Sequence, residues 1–199
     1  MDVCCAFLNG TPEEVLHILR PSGYTEHPET NVFVLNKSLY GLKQSPHCWK
    51  KVLKRTLITI GLSPCNTDPS LYYSQNRNQP LWLFVHVDDL IFGGTWTSLF
   101  KEKIQFFFEM EDLGKIKYKL SIRIAQPEEA ITLFQNKFIK HILVEFSIEQ
   151  AKAPPSPLLR NYKELKTVTL EPPKQHPFNF RRGVGLIQYL VQCTRPDLS

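Results

Sequence analysis

The stretch of residues 81–94, LWLFVHVDDLIFGG, constrains this chain more than any other. Two apolar runs, 81–87 and 90–92, flank a pair of adjacent aspartates, Asp88 and Asp89. The runs are rich in Val, Ile, Phe and Trp, which favour strands, and they are too short and too interrupted to span a membrane. The simplest geometry is a β-hairpin with the acidic pair at its tip, where a turn relaxes the alternation of faces. Two carboxylates about 4 Å apart repel by roughly 4 kcal/mol at an effective dielectric near 20. Divalent cations held by oxygen ligands are the usual compensation. The blander alternative is a solvated turn, since Asp is common in turns.

The rest of the chain supplies a core for such a hairpin. Of its 199 residues 42% are hydrophobic and 22% charged, which permits a packed domain and excludes global disorder. Ser45-Pro46 marks a helix start, with Ser45 as N-cap and Pro46 at the first helical position. Trp49, Val52, Leu53, Leu57 and Ile60 recur at helical spacing, and Gly61 closes the helix. Lys50, Lys51, Lys54 and Arg55 crowd its other side, either as a solvated face or as contacts for a phosphate backbone. A net charge of +5 is a mild lean toward polyanions. Strands are expected at 32–35, 70–74, 118–124 and 131–134. Helices are expected at 99–108, capped by Thr97 or Ser98 with Phe100, Ile104, Phe107 and Phe108 on the core face, and at 135–146 and 180–191. Prolines at 154, 155, 157, 172, 173 and 177 make 151–177 a linker. Helices and strands mix without regular alternation, so the class is α+β with an antiparallel sheet.

The five cysteines are odd in number and lack zinc spacing, which favours a reducing, intracellular setting over a disulfide scaffold. Cys4 and Cys5 read as small buried hydrophobes rather than reactive thiols. No signal peptide or membrane segment is visible.

Several blocks, in order, carry a family likeness. The opening MDVCCAFLNG (1–10), KSLYGLKQSP (37–46) continuing to Trp49, HVDD (86–89), FEMEDLG (108–114), Tyr189-Leu190 and TRPD (194–197) together resemble the reverse transcriptases of copia-type retrotransposons. The matching family patterns are SLYGLKQ-x-P, YVDD, FEMKDLG and YL…TRPD. The resemblance implies a right-hand palm: an antiparallel sheet with packed helices. It implies RNA-directed DNA polymerase activity, with Asp2, Asp88 and Asp89 as the catalytic and metal-binding triad for two Mg²⁺ or Mn²⁺ ions. An RNA template, a DNA primer and deoxynucleoside triphosphates are the implied partners, with no membrane. Ribonuclease H and integrase regions belong to the implied longer polyprotein.

Further roles follow position by position from the same resemblance. Cys5 and Ala6 stand where backbone amides hold the triphosphate, and Phe7 where an aromatic ring excludes a ribose 2′-hydroxyl. Tyr40, Gly41 and Lys43 lie in the block that packs against template and nucleotide. His86 and Val87 stand beside the primer end, and Tyr118, Leu120 and Ser121 where the primer-holding strand belongs. Lys50, Lys51, Lys54 and Arg55 complete the primer–template contacts.

The sequence also departs from the family pattern. His86 replaces the tyrosine of YVDD with a smaller imidazole ring, which bears on how the primer end is positioned. Residues 118–123, YKLSIR, replace YFLGI and an acidic residue; Ser121 for glycine loses conformational freedom. The family's fingers region precedes the first motif, so fingers are expected to be missing from this stretch, leaving it inactive alone. The expected layout is a palm and primer-grip region at 1–150, the linker, and the start of a connection segment at 178–199. The location is cytoplasmic, in virus-like particles, or nuclear. The competing reading is a non-catalytic retrotransposon relic that binds nucleic acid weakly at most. An unrelated metal-dependent hydrolase is disfavoured because no second acidic cluster exists.

Overall fold

A computed structural model describes residues 1–24, 29, 31–128, 130–152 and 179–199. The expected linker falls almost wholly on residues 153–178, outside the described residues. The chain forms two compact units, Met1–Lys115 and Ile116–Ser199. Helices and antiparallel strands are mixed, the class expected from the sequence.

In the first unit, β1 is Asp2–Val3, followed by a 3-10 turn at Ala6–Asn9; β2 is His17–Leu19 and β3 is Val32–Val34. Helix α1 spans Ser45–Ile60. Strands β4 (Leu62–Pro64), β5 (Leu71–Ser74), β6 (Leu81–His86) and β7 (Asp89–Gly94) follow, then α2 (Thr97–Phe107) and β8 (Met110–Glu111). Six of these strands form one antiparallel sheet in the order β4-β5-β6-β7-β1-β8. The first strand of the chain therefore sits between two that come much later. Strands β2 and β3 pair separately.

The sheet has one covered face. Along β6, Leu81 and Leu83 are buried while Trp82 and Phe84 are exposed, the period-2 alternation of a half-buried strand. The covered side meets Leu53 and Leu57 of α1 and Phe100 and Ile104 of α2 in a single core cluster. Helix α1 is amphipathic as the spacing predicts, and Gly61 ends it in the left-handed conformation at φ +109°. Its N-cap, however, is Gln44. Ser45 lies within the first turn, where its hydroxyl donates to the Leu39 carbonyl at 2.5 Å; the expected cap is used to fasten the preceding loop instead. Helix α2 starts after Trp96 with no side-chain cap from Thr97 or Ser98. Phe107 is 45% exposed, not a core residue; α2 ends there, and Phe108 turns in as the first extended residue.

The second unit contains β9 (Tyr118–Lys119), β10 (Ile122–Ala125) and β11 (Thr132–Phe134), in the order β11-β10-β9, with α3 (Asn136–Glu145) and α4 (Phe180–Cys193). The strand expected over 118–124 is a hairpin: β9 and β10 pair across a two-residue turn, Leu120–Ser121, both at positive φ, +48° and +62°. The helices pack through Phe138 and Tyr189, whose rings meet edge-on at 5.1 Å, and through an Arg182–Glu145 ion pair. Among the described residues no helix is long and apolar enough to cross a membrane.

Gly94, opposite Leu81 in the β6–β7 register, has φ +139°, and a Cβ there would lie 2.1 Å from the Pro80 carbonyl oxygen. Neighbouring Gly93 has open space around it. Gly94→Ala is therefore expected to destabilise the first unit by more than about 2 kcal/mol, from left-handed strain plus a backbone clash. Gly93→Ala should fall within about 1 kcal/mol of the parent. Denaturant titration of both variants checks the contrast.

Candidate active site

The hairpin expected around Asp88 and Asp89 is present. Strands β6 and β7 pair from Leu81–Gly94 to His86–Asp89, leaving Val87 and Asp88 as a two-residue loop. Val87 has φ +55°, a conformation that costs a β-branched residue on the order of 1–3 kcal/mol. Three bonds hold the tip. The Trp49 indole N–H donates to the Val87 carbonyl at 2.7 Å. The Val3 amide donates to the Asp88 carbonyl at 3.0 Å, and the Leu90 amide to the Met1 carbonyl at 2.9 Å.

Strand β1 brings Asp2 to the hairpin. Asp2 is registered opposite Asp89 on one side and Glu111 on the other, and Asp89 in turn opposite His86. Directly opposed residues project from the same face of an antiparallel sheet. The sheet thus carries a row, His86–Asp89–Asp2–Glu111, with Asp88 in the adjoining loop. The carboxyl of Asp2 is pushed above the usual carboxylate range, first by desolvation and then by the charges of Asp88, Asp89 and Glu111. These are oxygen donors of the kind that suit Mg²⁺ or Mn²⁺, and their repulsion favours added positive charge. Their side chains do not form a ready-made cage: among the described residues no three His, Cys, Asp or Glu side chains are grouped closely enough to hold a metal ion.

Of the residues expected at the nucleotide side, Tyr40 lies within electrostatic reach of Asp88, Cys5 and Asp2. Phe7 and Tyr40 pack ring against ring at 4.4 Å. The Tyr40 phenol is pushed up by burial and then by Asp88, Cys5 and Asp2, with a hydrogen bond to the Ala6 backbone acting the other way. Cys5 is exposed, at φ +51°, and Cys4 half-buried, so neither is the fully buried hydrophobe expected. Gly41, at φ +93°, and Lys43 are both exposed. Lys50, Lys54 and Arg55 line the exposed side of α1; Lys51 is paired with Glu13. In the second unit Tyr118 is exposed with the Lys137 ammonium 5.7 Å from its ring centre, and Leu120 and Ser121 form the turn already described.

Two participants were missed in the sequence. Glu111 stands at the lysine of the FEMKDLG pattern, and that charge reversal was the available signal. Trp49 reads as core from its helical spacing, and nothing in the spacing points to its indole N–H.

The acid row sets a pH dependence. Asp2 has a raised folded-state pKa, so between that value and the ordinary carboxylate value the folded chain holds a proton that the unfolded chain has lost. The stability contribution of Asp2 therefore improves as pH falls through that window and is worst at neutral pH. Without divalent ions, Asp2→Asn is expected to melt higher than the parent at pH 7, and the gain should shrink as pH falls. Glu111→Lys should shift the pH 7 melt in the same direction. A constant Asp2→Asn difference across pH would show that Asp2 carries no such penalty.

Comparison with known proteins agrees with these features. The profile of the family described as "Reverse transcriptase (RNA-dependent DNA polymerase)" matches residues 1–160. Over its whole length the chain is 31% identical to the Retrovirus-related Pol polyprotein from transposon RE1 of Arabidopsis thaliana and 30% identical to that from transposon TNT 1-94 of Nicotiana tabacum. It is 29% identical to the putative transposon Ty5-1 protein of Saccharomyces cerevisiae, covering 66% of that protein. The chain spans only 14% and 16% of the two plant polyproteins. No solved structure matches it.

Proposed function

This chain belongs to the reverse transcriptase family, with homologues among the Pol polyproteins of copia-type transposons, and on that premise we propose that it carries the palm of an RNA-directed DNA polymerase. The observation that supports this reading best is the register of β1, which sets Asp2 opposite Asp89 and beside the Asp88 loop. Asp2, Asp88 and Asp89 would hold two divalent ions. Ions held there would supply the charge that activates a primer 3′-hydroxyl and stabilises a leaving pyrophosphate.

The chain's own residues do the rest. Val3 and Trp49, through the backbone of Val87 and Asp88, fix the height of the acids above the sheet. Phe7, braced by Tyr40, closes the sugar side of the nucleotide. The amides of Cys5 and Ala6, at the start of the 3-10 turn, face the triphosphate. His86, at the end of the acid row, meets the primer end with a smaller ring than the family's tyrosine. The exposed cations of α1 follow a phosphate backbone.

Primer extension on an RNA template tests the reading in the longest polypeptide that contains this stretch. Extension should require Mg²⁺ or Mn²⁺ and fall more than about 100-fold in Asp88→Asn, Asp89→Asn, because in-line displacement tolerates little misplacement. Extension that survives the double substitution would overturn the triad. No extension by the parent, with nucleic-acid binding retained, would favour the non-catalytic relic.

Binding has its own signature. Neutralising Lys50, Lys54 or Arg55 should flatten the slope of log K against log salt by roughly 0.7–0.9 each. Lys51 should contribute less, since a phosphate must first displace Glu13. Unchanged slopes after removal of all four charges would leave this side of α1 as a solvated face.

A further inference from the structure

We infer that Trp49 is a positioning residue for the Asp88–Asp89 tip, acting through one hydrogen bond to the Val87 carbonyl rather than through bulk alone. The inference rests on the reading of those aspartates as metal-binding groups and adds to it the element that aims them.

Val87 adopts φ +55°, which a β-branched residue avoids unless its surroundings impose it. Packing of its own side chain does not impose it. Val87 is 41% exposed, and it lines an open cavity of about 190 Å³ together with Phe7, Trp49, Tyr72 and Val85. The two-residue closure between His86 and Asp89 imposes it, and the loop's carbonyls set which way the peptide between Val87 and Asp88 faces. That of Asp88 accepts from the Val3 amide at 3.0 Å, and that of Val87 from the Trp49 indole at 2.7 Å.

The donor is itself rigid. Trp49 is 2% exposed, its ring lies edge-on to Phe108 at 5.0 Å, and α1 behind it is locked into the core through Leu53 and Leu57. The direction of the Val87 carbonyl fixes the peptide plane between Val87 and Asp88, and hence the departure of the Asp88 side chain. Without the indole N–H, that plane is free to flip, which turns Asp88 over while the two-residue closure keeps Val87 at positive φ. The acids would then lose their fixed approach to Asp2 while the core stays filled.

The experiment uses the 199-residue chain and four variants: Trp49→Phe, which keeps an aromatic ring and removes the donor; Val87→Gly, which adopts positive φ without help; the two combined; and Asp88→Asn, Asp89→Asn as the control. In the parent, the Trp49 indole proton should exchange slowly with solvent, and the Val87 backbone chemical shifts should report a left-handed residue. A fast-exchanging Trp49 indole would overturn the proposal without any variant being needed. Trp49→Phe should move the Asp88 backbone shifts to left-handed values and weaken Mn²⁺ binding, followed by water-proton relaxation, by roughly tenfold, the size of loss seen when a supporting partner of a metal ligand is removed. Val87→Gly in the Trp49→Phe background should recover most of that affinity, since glycine accepts the original direction of the peptide. Unchanged Asp88 shifts in Trp49→Phe, or a loss that Val87→Gly does not recover, would assign Trp49 to packing only and overturn the proposal. If the parent binds Mn²⁺ no better than the control, the metal reading fails, and the Asp88 shifts alone then decide the role of Trp49.

Discussion

The pairing of β1 between β7 and β8 is the constraint on which the first unit turns. Two residues of strand suffice because each side of β1 is bonded to a different partner: the Val3 amide to Asp88 and the Cys4 amide to Glu109. Remove that pairing and the sheet ends at β7, β8 has no neighbour, and Asp2 has no fixed position. The same bonds that complete the sheet place a carboxylate against two others, so the architecture and the electrostatic problem have one origin.

That problem is only half solved by the protein. Ion pairs do form nearby, as between Lys101 and Asp112 at 2.8 Å, and there the carboxyl is held low, first by its hydrogen bond to Lys101. Asp2 has acidic neighbours instead and is pushed the other way. A cluster of like charges whose titration is shifted this way marks a candidate functional site. Glu111 strengthens the effect by standing where the family pattern carries a lysine.

Much of this was legible in the sequence where periodicity was strong. The alternation of β6 and the apolar stripe of α1 are patterns set by burial, and burial acts on many residues at once. Strand β1 has no period to read; its place came only through the likeness of its motif to a family whose first acid joins the hairpin. Strands β2, β4 and β8 are short and were not expected for the same reason. The hairpin at Leu120–Ser121 was missed because its turn lacks the Asn or Gly that announces such turns; cross-strand pairing of Ile122 with Lys119 and Arg123 with Tyr118 overrides the local preference. The Trp49 bond was invisible because Trp at a core position reads as bulk, and its polar edge matters only once the tip of a distant hairpin is brought to it.

The turn at Leu120–Ser121 has a consequence for how the second unit assembles. A hairpin closed by two L-residues at positive φ cannot nucleate at its own turn, since that turn is unfavourable until flanking strands hold it. The order of events in β9–β10–β11 should therefore be inverted relative to an Asn-Gly hairpin. Strands β10 and β11 should pair first and β9 add afterward, with the Leu120 carbonyl accepting from the Tyr189 hydroxyl only once that turn has closed. In kinetic terms, contacts around Leu120 belong to the late, downhill side of the folding barrier, and changes there would speed unfolding more than they slow folding.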